Sequence, residues 1–135
     1  MLFGQEHVER YIETDGAEGH EWQPGVYTLL LTTTGRRSGE PFTTPLIYVR
    51  DGDDYLIVAS KGGADSHPDW YLNLLADPAV TIRVGSEVLE GGAHTLDEDR
   101  HARVWPALTE VWPDFDDYVA STERTIPVVA ISPTG

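Results

Sequence analysis

The single lysine of the chain, Lys61, lies directly before two glycines, Gly62 and Gly63. The one adjacent pair of arginines, Arg36 and Arg37, lies in a second stretch that is flanked by glycines. Glycine lets bare backbone approach a ligand, and guanidinium groups donate paired hydrogen bonds to phosphate or carboxylate. The arginine stretch taken alone is equally compatible with a solvated turn, but the two stretches together indicate a site for an anionic ligand.

The helix predicted after Lys61 adds a flat surface and an amide to this site. Trp70 and Asn73 are three residues apart and therefore share one face of that helix. Trp70 could pack in the core and Asn73 could be a surface residue, or the pair could contact a heterocycle. The pattern predicts a long ligand with its charged tail at Arg36 and Arg37 and its ring near Ser60, Lys61 and Trp70. Because no motif for a nucleophile is present, a cofactor would carry the chemistry.

Composition excludes several other classes of function. The 135 residues carry a formal net charge of −14, which repels nucleic acid and anionic membranes. The absence of cysteine excludes disulfides, thiolate nucleophiles and cysteine-ligated metals, and the five histidines lack close metal-ligand spacing, so no metal site is predicted. No apolar run approaches the ~20 residues of a membrane helix, and the N-terminus lacks a secretory signal. We expect a cytoplasmic protein.

The elements that position these residues follow an α+β order. Alternating or continuous apolar runs predict six strands, at residues 26–34, 42–50, 55–60, 79–84, 87–96 and 127–132. Helical spacing and capping patterns predict helices near residues 6–14, 69–76, 97–110 and 112–118. We expect a bulge at Gly91-Gly92, and both Leu74 and Leu75 turned toward the core. Short turns favour mostly antiparallel pairing in a small barrel of about six strands, forming one domain over residues 1–135, with residues 1–25 as an N-terminal helix and loop.

Four stretches of the chain read LLLTTTGRRSG, TTPLIYV, VASKGGADSHPDWYLNLLADPAVTIRVG and RTIPVVAIS. Together they resemble the deazaflavin (coenzyme F420)-dependent nitroreductase family, from about Gly19 to Ser132. The resemblance implies a split β-barrel related to the FMN-binding, pyridoxamine-phosphate-oxidase-like barrels. It also implies coenzyme F420 as the cofactor, whose phosphate and oligoglutamate tail is anionic, in agreement with the site indicated by the two arginines.

The resemblance further implies roles for three groups of residues. In family members a basic turn binds the phosphate and tail, and it matches Arg36, Arg37, Ser38 and Gly39. The deazaflavin ring contacts residues that match Pro45, Leu46, Ile47, Ala59, Ser60, Lys61, Gly62, Trp70 and Asn73. An aromatic trio at three-residue spacing forms the substrate pocket, here Trp112, Phe115 and Tyr118. Ser60 is expected to hydrogen-bond the acceptor, and either Tyr118 or solvent is expected to supply a proton.

The implied activity is reduction of a small electron-poor acceptor, such as a quinone, an activated alkene or a nitro-aromatic, by a monomer or homodimer. Nitroreductase members carry tyrosines in the aromatic trio, whereas Trp112 and Phe115 replace two of them here. Phe42 also stands where an arginine is common. Two alternatives stay open: a non-catalytic carrier of F420, and a barrel of the same kind that binds FMN or heme.

Overall fold

The computed structural model describes residues 2–134. Within this part the chain forms four α-helices: α1 Gly4–Glu13, α2 Asp69–Ala76, α3 Glu98–Val111 and α4 Asp114–Ala120. It also forms eight strands: β1 Glu21–Gln23, β2 Val26–Thr34, β3 Pro41–Ile47, β4 Val49–Asp51, β5 Asp54–Val58, β6 Ala79–Val84, β7 Glu87–Thr95 and β8 Val128–Pro133. None of the helices in this range is long and apolar enough to cross a membrane.

The strands form one curled sheet in the order β1-β2-β6-β7-β8-β5-β4, and β3 pairs with β2. Every pairing is antiparallel. Only Tyr48 separates β3 from β4, yet β3 pairs with β2 near one end of the series and β4 pairs with β5 at the other. This stretch of chain therefore connects the two ends of the sheet, and the result is the predicted α+β split barrel.

The core lies on both faces of β5 and β8, because successive side chains of a strand point to opposite faces. Ile57 and Ile131 pack with Leu29 and Leu31 inside the barrel. Their neighbours on the same two strands pack under α3 and α4 with Leu108 and Phe115, and these neighbours are Leu56, Val58, Val128 and Ala130. The continuous apolar runs that predicted the strands follow from burial on both faces.

The structure differs from three sequence-based expectations. The predicted strand at 42–50 is divided at Tyr48, and Glu21–Gln23 adds a short strand, so the sheet has eight strands instead of about six. The predicted bulge at Gly91-Gly92 is wrong, since both residues pair in regular register. A Cβ at Gly91 would lie 2.9 Å from the Ser132 carbonyl oxygen, so glycine there permits a close backbone approach. The expectation that both Leu74 and Leu75 face the core is wrong for Leu75, which is 57% exposed, and is confirmed for Leu74, which is buried.

Candidate active site

A cavity of about 470 Å³ opens at one side of the barrel, a volume in the range typical of small-molecule sites. Its walls come from β3, the loop after β5, the start of α2, the aromatic residues near α4 and the N-terminal segment. Ten predicted site residues line it: Pro45, Leu46, Ile47, Ser60, Lys61, Gly62, Trp70, Trp112, Phe115 and Tyr118. Six lie outside its lining: Arg36, Arg37, Ser38, Gly39, Ala59 and Asn73.

The basic turn between β2 and β3 carries two arginines with different surroundings. Arg36 donates from Nη1 to Asn73 Oδ1 at 2.9 Å and pairs through Nη2 with Asp69 Oδ1 at 3.3 Å. Arg37 is exposed and, within residues 2–134, its guanidinium makes no hydrogen bond or ion pair. Asp69 and Phe42 line the cavity, so the turn lies at its rim. Of the two arginines, Arg37 has its charge available for a ligand.

Asn73 holds the basic turn against α2. The side chain is only 3% exposed, and its Nδ2 donates to Thr33 Oγ1 at 3.2 Å. Its Oδ1 accepts both from the side chain of Arg36 and from the Arg36 backbone N–H, the latter at 3.2 Å. The amide therefore joins β2 to the turn and lies outside the lining of the cavity, and its contact with a heterocycle stays a prediction.

The loop after β5 has three consecutive residues in the left-handed region: Lys61, Gly62 and Gly63, with φ of 47°, 62° and 84°. Glycine adopts this conformation at little cost, but a lysine rarely does. A Cβ at Gly63 would lie 3.0 Å from both the Cα and the carbonyl oxygen of Tyr118. The absence of a side chain at Gly63 thus brings the predicted ring loop directly against α4. The Lys61 ammonium donates to Ser66 Oγ at 3.2 Å.

The predicted aromatic trio lies in one wall of the cavity. Trp112 Nε1 donates to the Tyr118 hydroxyl at 3.3 Å, and the rings of Phe115 and Tyr118 are 6.1 Å apart. The Tyr118 hydroxyl accepts this bond, so its own proton is available to another acceptor. Trp22 extends the wall, because its ring lies 5.6 Å from that of Trp112.

Sequence reasoning missed the N-terminal side of the cavity, which is lined by Leu2, Phe3, Gly4, His7, Trp22 and Thr28. Trp22 Nε1 donates to the Leu2 carbonyl at 2.7 Å, which fastens the first described residues to the cavity wall. His7 is buried, its Nε2 lies 3.1 Å from both the Gly19 carbonyl and Thr28 Oγ1, and burial lowers the pKa of its imidazole. No local motif marks these residues, because the cavity brings residues near the start of the chain together with residues more than 100 positions later.

The cavity has the properties needed to hold the predicted cofactor. An exposed, unpaired guanidinium at the rim suits an anionic tail, and the mostly apolar walls around Trp70 suit a flat ring. The left-handed loop exposes backbone with no side chain at Gly62, where a Cβ would have nothing within 4 Å. Within residues 2–134 no group of three or more histidine, aspartate or glutamate side chains could hold a metal ion.

Comparison with solved structures first defines the fold class. A structure from Listeria innocua of the pyridoxamine 5′-phosphate oxidase type has a TM-score of 0.57, is 16% identical, and covers 80% of this chain and 84% of its own. The heme storage protein HutZ from Vibrio cholerae has a TM-score of 0.62 at 15% identity, covering 99% of this chain and 92% of its own. At such identities the likeness shows the split-barrel fold alone.

Closer similarity identifies the family. The family model for F420H(2)-dependent quinone reductase matches residues 3–133, and the chain belongs to this family. An F420H(2)-dependent quinone reductase from Mycobacterium tuberculosis is 42% identical over 130 residues, which cover 93% of this chain and 87% of the relative. A solved F420-H2 dependent reductase, FDR-A, has a TM-score of 0.72 and 37% identity, covering 78% of this chain and 93% of its own. The predicted F420-dependent oxidoreductase is confirmed, with coenzyme F420 as its cofactor.

Proposed function

We propose that the protein reduces a small quinone, and that the acceptor stacks in the cavity between the loop after β5 and the aromatic wall. The observation that carries this proposal is the close packing of these two elements at Gly63 and Tyr118. A ring held by the loop and a flat acceptor held by the aromatic residues would then be neighbours, as transfer between them requires.

Arg37 is the residue we propose for the anionic tail of the cofactor. Its guanidinium is uncommitted, while Arg36 holds the turn in place through Asn73 and Asp69. Ser38 and Gly39 belong to the same turn, where Ser38 Oγ accepts from the Glu40 N–H at 3.1 Å. Phe42 adds an apolar surface at the rim instead of a further charge.

Bound F420H2 supplies the hydride, and the protein contributes position, a dry surface and a proton. Ser60, which belongs to the cavity lining, donates from its hydroxyl to one carbonyl oxygen of the quinone. Tyr118 donates its hydroxyl proton to an acceptor oxygen while Trp112 stabilises the resulting phenolate by its own hydrogen bond. One hydride and one proton convert the quinone to the hydroquinone, and solvent reprotonates Tyr118.

We rank quinones before nitro-aromatics as the acceptor. The trio offers one hydroxyl, that of Tyr118, and the indole N–H of Trp112 already bonds to it. Stacking on Trp112, Phe115 and Trp22 suits any flat acceptor, quinone and nitro-aromatic alike, so the single free hydroxyl is what ranks the two. Nitroreductase activity, which the resemblance implied, is therefore the second candidate.

A direct assay tests the proposal. The protein is mixed with F420H2 and menadione, and the return of oxidised cofactor absorbance is followed. We expect turnover, with kcat reduced at least about tenfold in Ser60→Ala and Tyr118→Phe, as for a lost proton donor or positioning contact. Binding of F420 without turnover of any quinone, enone or nitro-aromatic would support the carrier alternative. Tighter binding of FMN or heme than of F420 in equilibrium dialysis would contradict the assignment of the cofactor pocket.

We also propose a single cytoplasmic domain that exists as a monomer or homodimer. A solved structure described as a domain-swapped dimer supports pairing, with 36% identity, a TM-score of 0.74, and coverage of 95% of this chain and 96% of its own. Light scattering across a concentration series separates monomer from dimer, and a larger assembly would contradict the proposal.

A further inference from the structure

Arg124 lies between α4 and β8, outside the lining of the cavity, and its guanidinium is enclosed by the loop after β5. Nε donates to the Ala64 carbonyl at 2.7 Å, and Nη2 donates to the Ser60 carbonyl at 2.7 Å. Nη1 donates to the Ala59 carbonyl at 3.2 Å and lies 3.2 Å from His67 Nδ1. One planar guanidinium thus contacts four acceptor atoms within the nine residues 59–67.

The bonding of Arg124 differs from that of the other arginines of the described chain that hold distant elements together. Arg36, Arg83, Arg100 and Arg103 pair with carboxylates far away in the chain, whereas Arg124 pairs with none of the carboxylates in residues 2–134. Its partners are backbone carbonyls and one ring nitrogen. All of these partners belong to one loop, so the guanidinium constrains the conformation of that loop.

Each carbonyl that Arg124 binds also fixes the direction of the N–H group in the same peptide unit. A trans peptide is planar, and its C=O and N–H point in opposite directions. Arg124 binds the carbonyls of Ala59 and Ser60, so the N–H groups of Ser60 and Lys61 point away from it. Ser60 and Lys61 line the cavity and Arg124 does not. Among the described loop and turn hydrogen bonds, neither of these two N–H groups donates to the protein.

His67 fastens the far end of the same loop. For Nδ1 to accept from Arg124, the imidazole must be uncharged at that atom. Burial, and then the charge of Arg124, lower the pKa of His67. The His67 ring also lies 5.0 Å from that of Tyr71 on α2, so the contact joins the loop to the helix that carries Trp70.

We propose that Arg124 is a positioning residue for the cofactor: from behind the loop it turns the N–H groups of Ser60 and Lys61 into the cavity. There they donate to the carbonyl oxygens of a planar heterocycle, and Ser60 is held where its hydroxyl reaches the acceptor. This inference rests on the proposed function for its ligand, but the orientation of the loop is a property of the cofactor-free protein.

The test compares Arg124→Gln and Arg124→Lys with Arg100→Gln. Arg100 is the matched control because its guanidinium binds Asp51 and Asp54 at 2.9 and 2.8 Å and joins α3 to the β4–β5 hairpin, outside the cavity lining. Thermal unfolding, the Kd for F420 by fluorescence titration, and kcat and KM with menadione are measured for each variant.

We expect Arg124→Gln to raise the Kd for F420 and to lower kcat, each at least tenfold, with KM for menadione within twofold of wild type. Arg124→Lys restores part of both effects, because an ammonium binds fewer carbonyls at once. Arg100→Gln lowers the unfolding temperature but leaves Kd and kcat within twofold. Unchanged Kd in Arg124→Gln, or an equal loss in Arg100→Gln at equal unfolding temperature, would overturn the inference.

A measurement without cofactor separates this inference from the proposed function. In the NMR spectrum of the free protein, Arg124→Gln shifts the backbone amide resonances of Ser60, Lys61 and Gly62, and it raises the pKa of His67. Arg100→Gln leaves these signals in place. If the signals of Arg124→Gln also stay in place, Arg124 does not position the loop, whether or not the protein reduces quinones.

Discussion

The two loops at the cavity, the basic turn of residues 35–40 and the loop of residues 59–67, are built in opposite ways. In the basic turn, Gly39 has nothing within 4 Å of a Cβ position, and the charge of Arg37 is free of partners within the described chain. In the second loop, Gly63 is pressed against Tyr118, and Arg124 binds three carbonyls from behind. The basic turn offers an unpaired charge, and the second loop offers a defined backbone.

We expect the basic turn to govern the affinity for the cofactor and the second loop to govern the arrangement of the reacting groups. A flexible anionic tail needs charge at the right place, and an exposed arginine supplies it with little demand on shape. Hydride transfer needs the ring and the acceptor in a defined arrangement, which a rigid backbone supplies. Removal of the free charge of the basic turn should therefore alter binding alone, whereas changes in the second loop should alter folding and turnover as well.

Gly63→Ala tests the enclosed loop and has the largest expected effect. The new methyl group would meet Tyr118 at 3.0 Å with the backbone at φ of 84°. We expect a loss of about 2–5 kcal/mol in the free energy of unfolding, from the left-handed backbone together with overpacking. Denaturant unfolding measures this loss, and the aromatic wall should move with the loop, so quinone turnover should fall too.

Gly62→Ala and Gly39→Ala are the matched controls for that prediction. Both glycines have positive φ, of 62° and 71°, and both have nothing within 4 Å of a Cβ position. Each substitution should cost about 1–2 kcal/mol, from backbone strain alone. Equal losses at Gly63 and Gly39 would show that the two loops are enclosed to the same degree.

The two arginines of the basic turn give the next largest effect. Arg37→Ala should weaken F420 binding by about 1–3 kcal/mol, as for a lost charge-assisted contact, and leave unfolding unchanged. Arg36→Ala should instead lower the free energy of unfolding by about 0.5–1.5 kcal/mol, because the buried Asn73 loses its guanidinium donor. Titration with F420 and urea unfolding of both variants measure the contrast. A change near zero in binding by Arg37→Ala would mean that its charge is merely solvated.

Acid should destabilise the loop of residues 59–67 through His67. The basic turn contains no histidine and should not respond to pH in this range. Burial and Arg124 lower the pKa of His67 below 6.5, so protons bind the unfolded chain more strongly. The stability contributed is complete above pH 6.5 and declines as the pH falls from there toward the folded pKa. Between pH 7.5 and 5.5 the wild-type protein should lose unfolding free energy. His67→Asn should lose less, and the two losses should differ by about 1 kcal/mol or less.

His7 and His20 also have pKa values lowered by burial, so His67→Asn should retain part of the acid sensitivity. Urea unfolding at the two pH values gives the difference. An unaltered pH dependence in His67→Asn would show that this histidine does not anchor the loop.

Salt should give the smallest effect. Screening shortens the range of exposed charges to about 10 Å at 0.1 M and about 3 Å at 1 M. The difference in F420 affinity between wild type and Arg37→Ala should therefore narrow as salt rises, whereas that between wild type and Arg124→Gln should persist. If salt changed both affinity differences in the same way, the basic turn and the loop of residues 59–67 would not differ in how they bind the cofactor.

Local patterns were enough to predict most of the barrel and one side of the site. Leu29–Leu31 lies in the strand predicted at residues 26–34 and is buried, and the short turn predicted between the strands at 42–50 and 55–60 falls at Gly52, with φ of 60°. The Lys61–Gly63 stretch has positive φ throughout, a conformation that its two glycines adopt at little cost. In each case the decisive preference lies within a few neighbouring residues, so the sequence itself determines the outcome.

Only the tertiary structure decided which charges remain available and what holds the loops. Arg36 and Arg37 are indistinguishable in the sequence, and they differ because Asn73, 37 residues after Arg36, reaches one of them. Arg124 carries no motif, yet it binds a loop about 60 residues earlier. The N-terminal wall around His7 is equally remote. Backbone preference is a local property, whereas the partner of a polar group depends on which distant atoms the fold brings within hydrogen-bond distance.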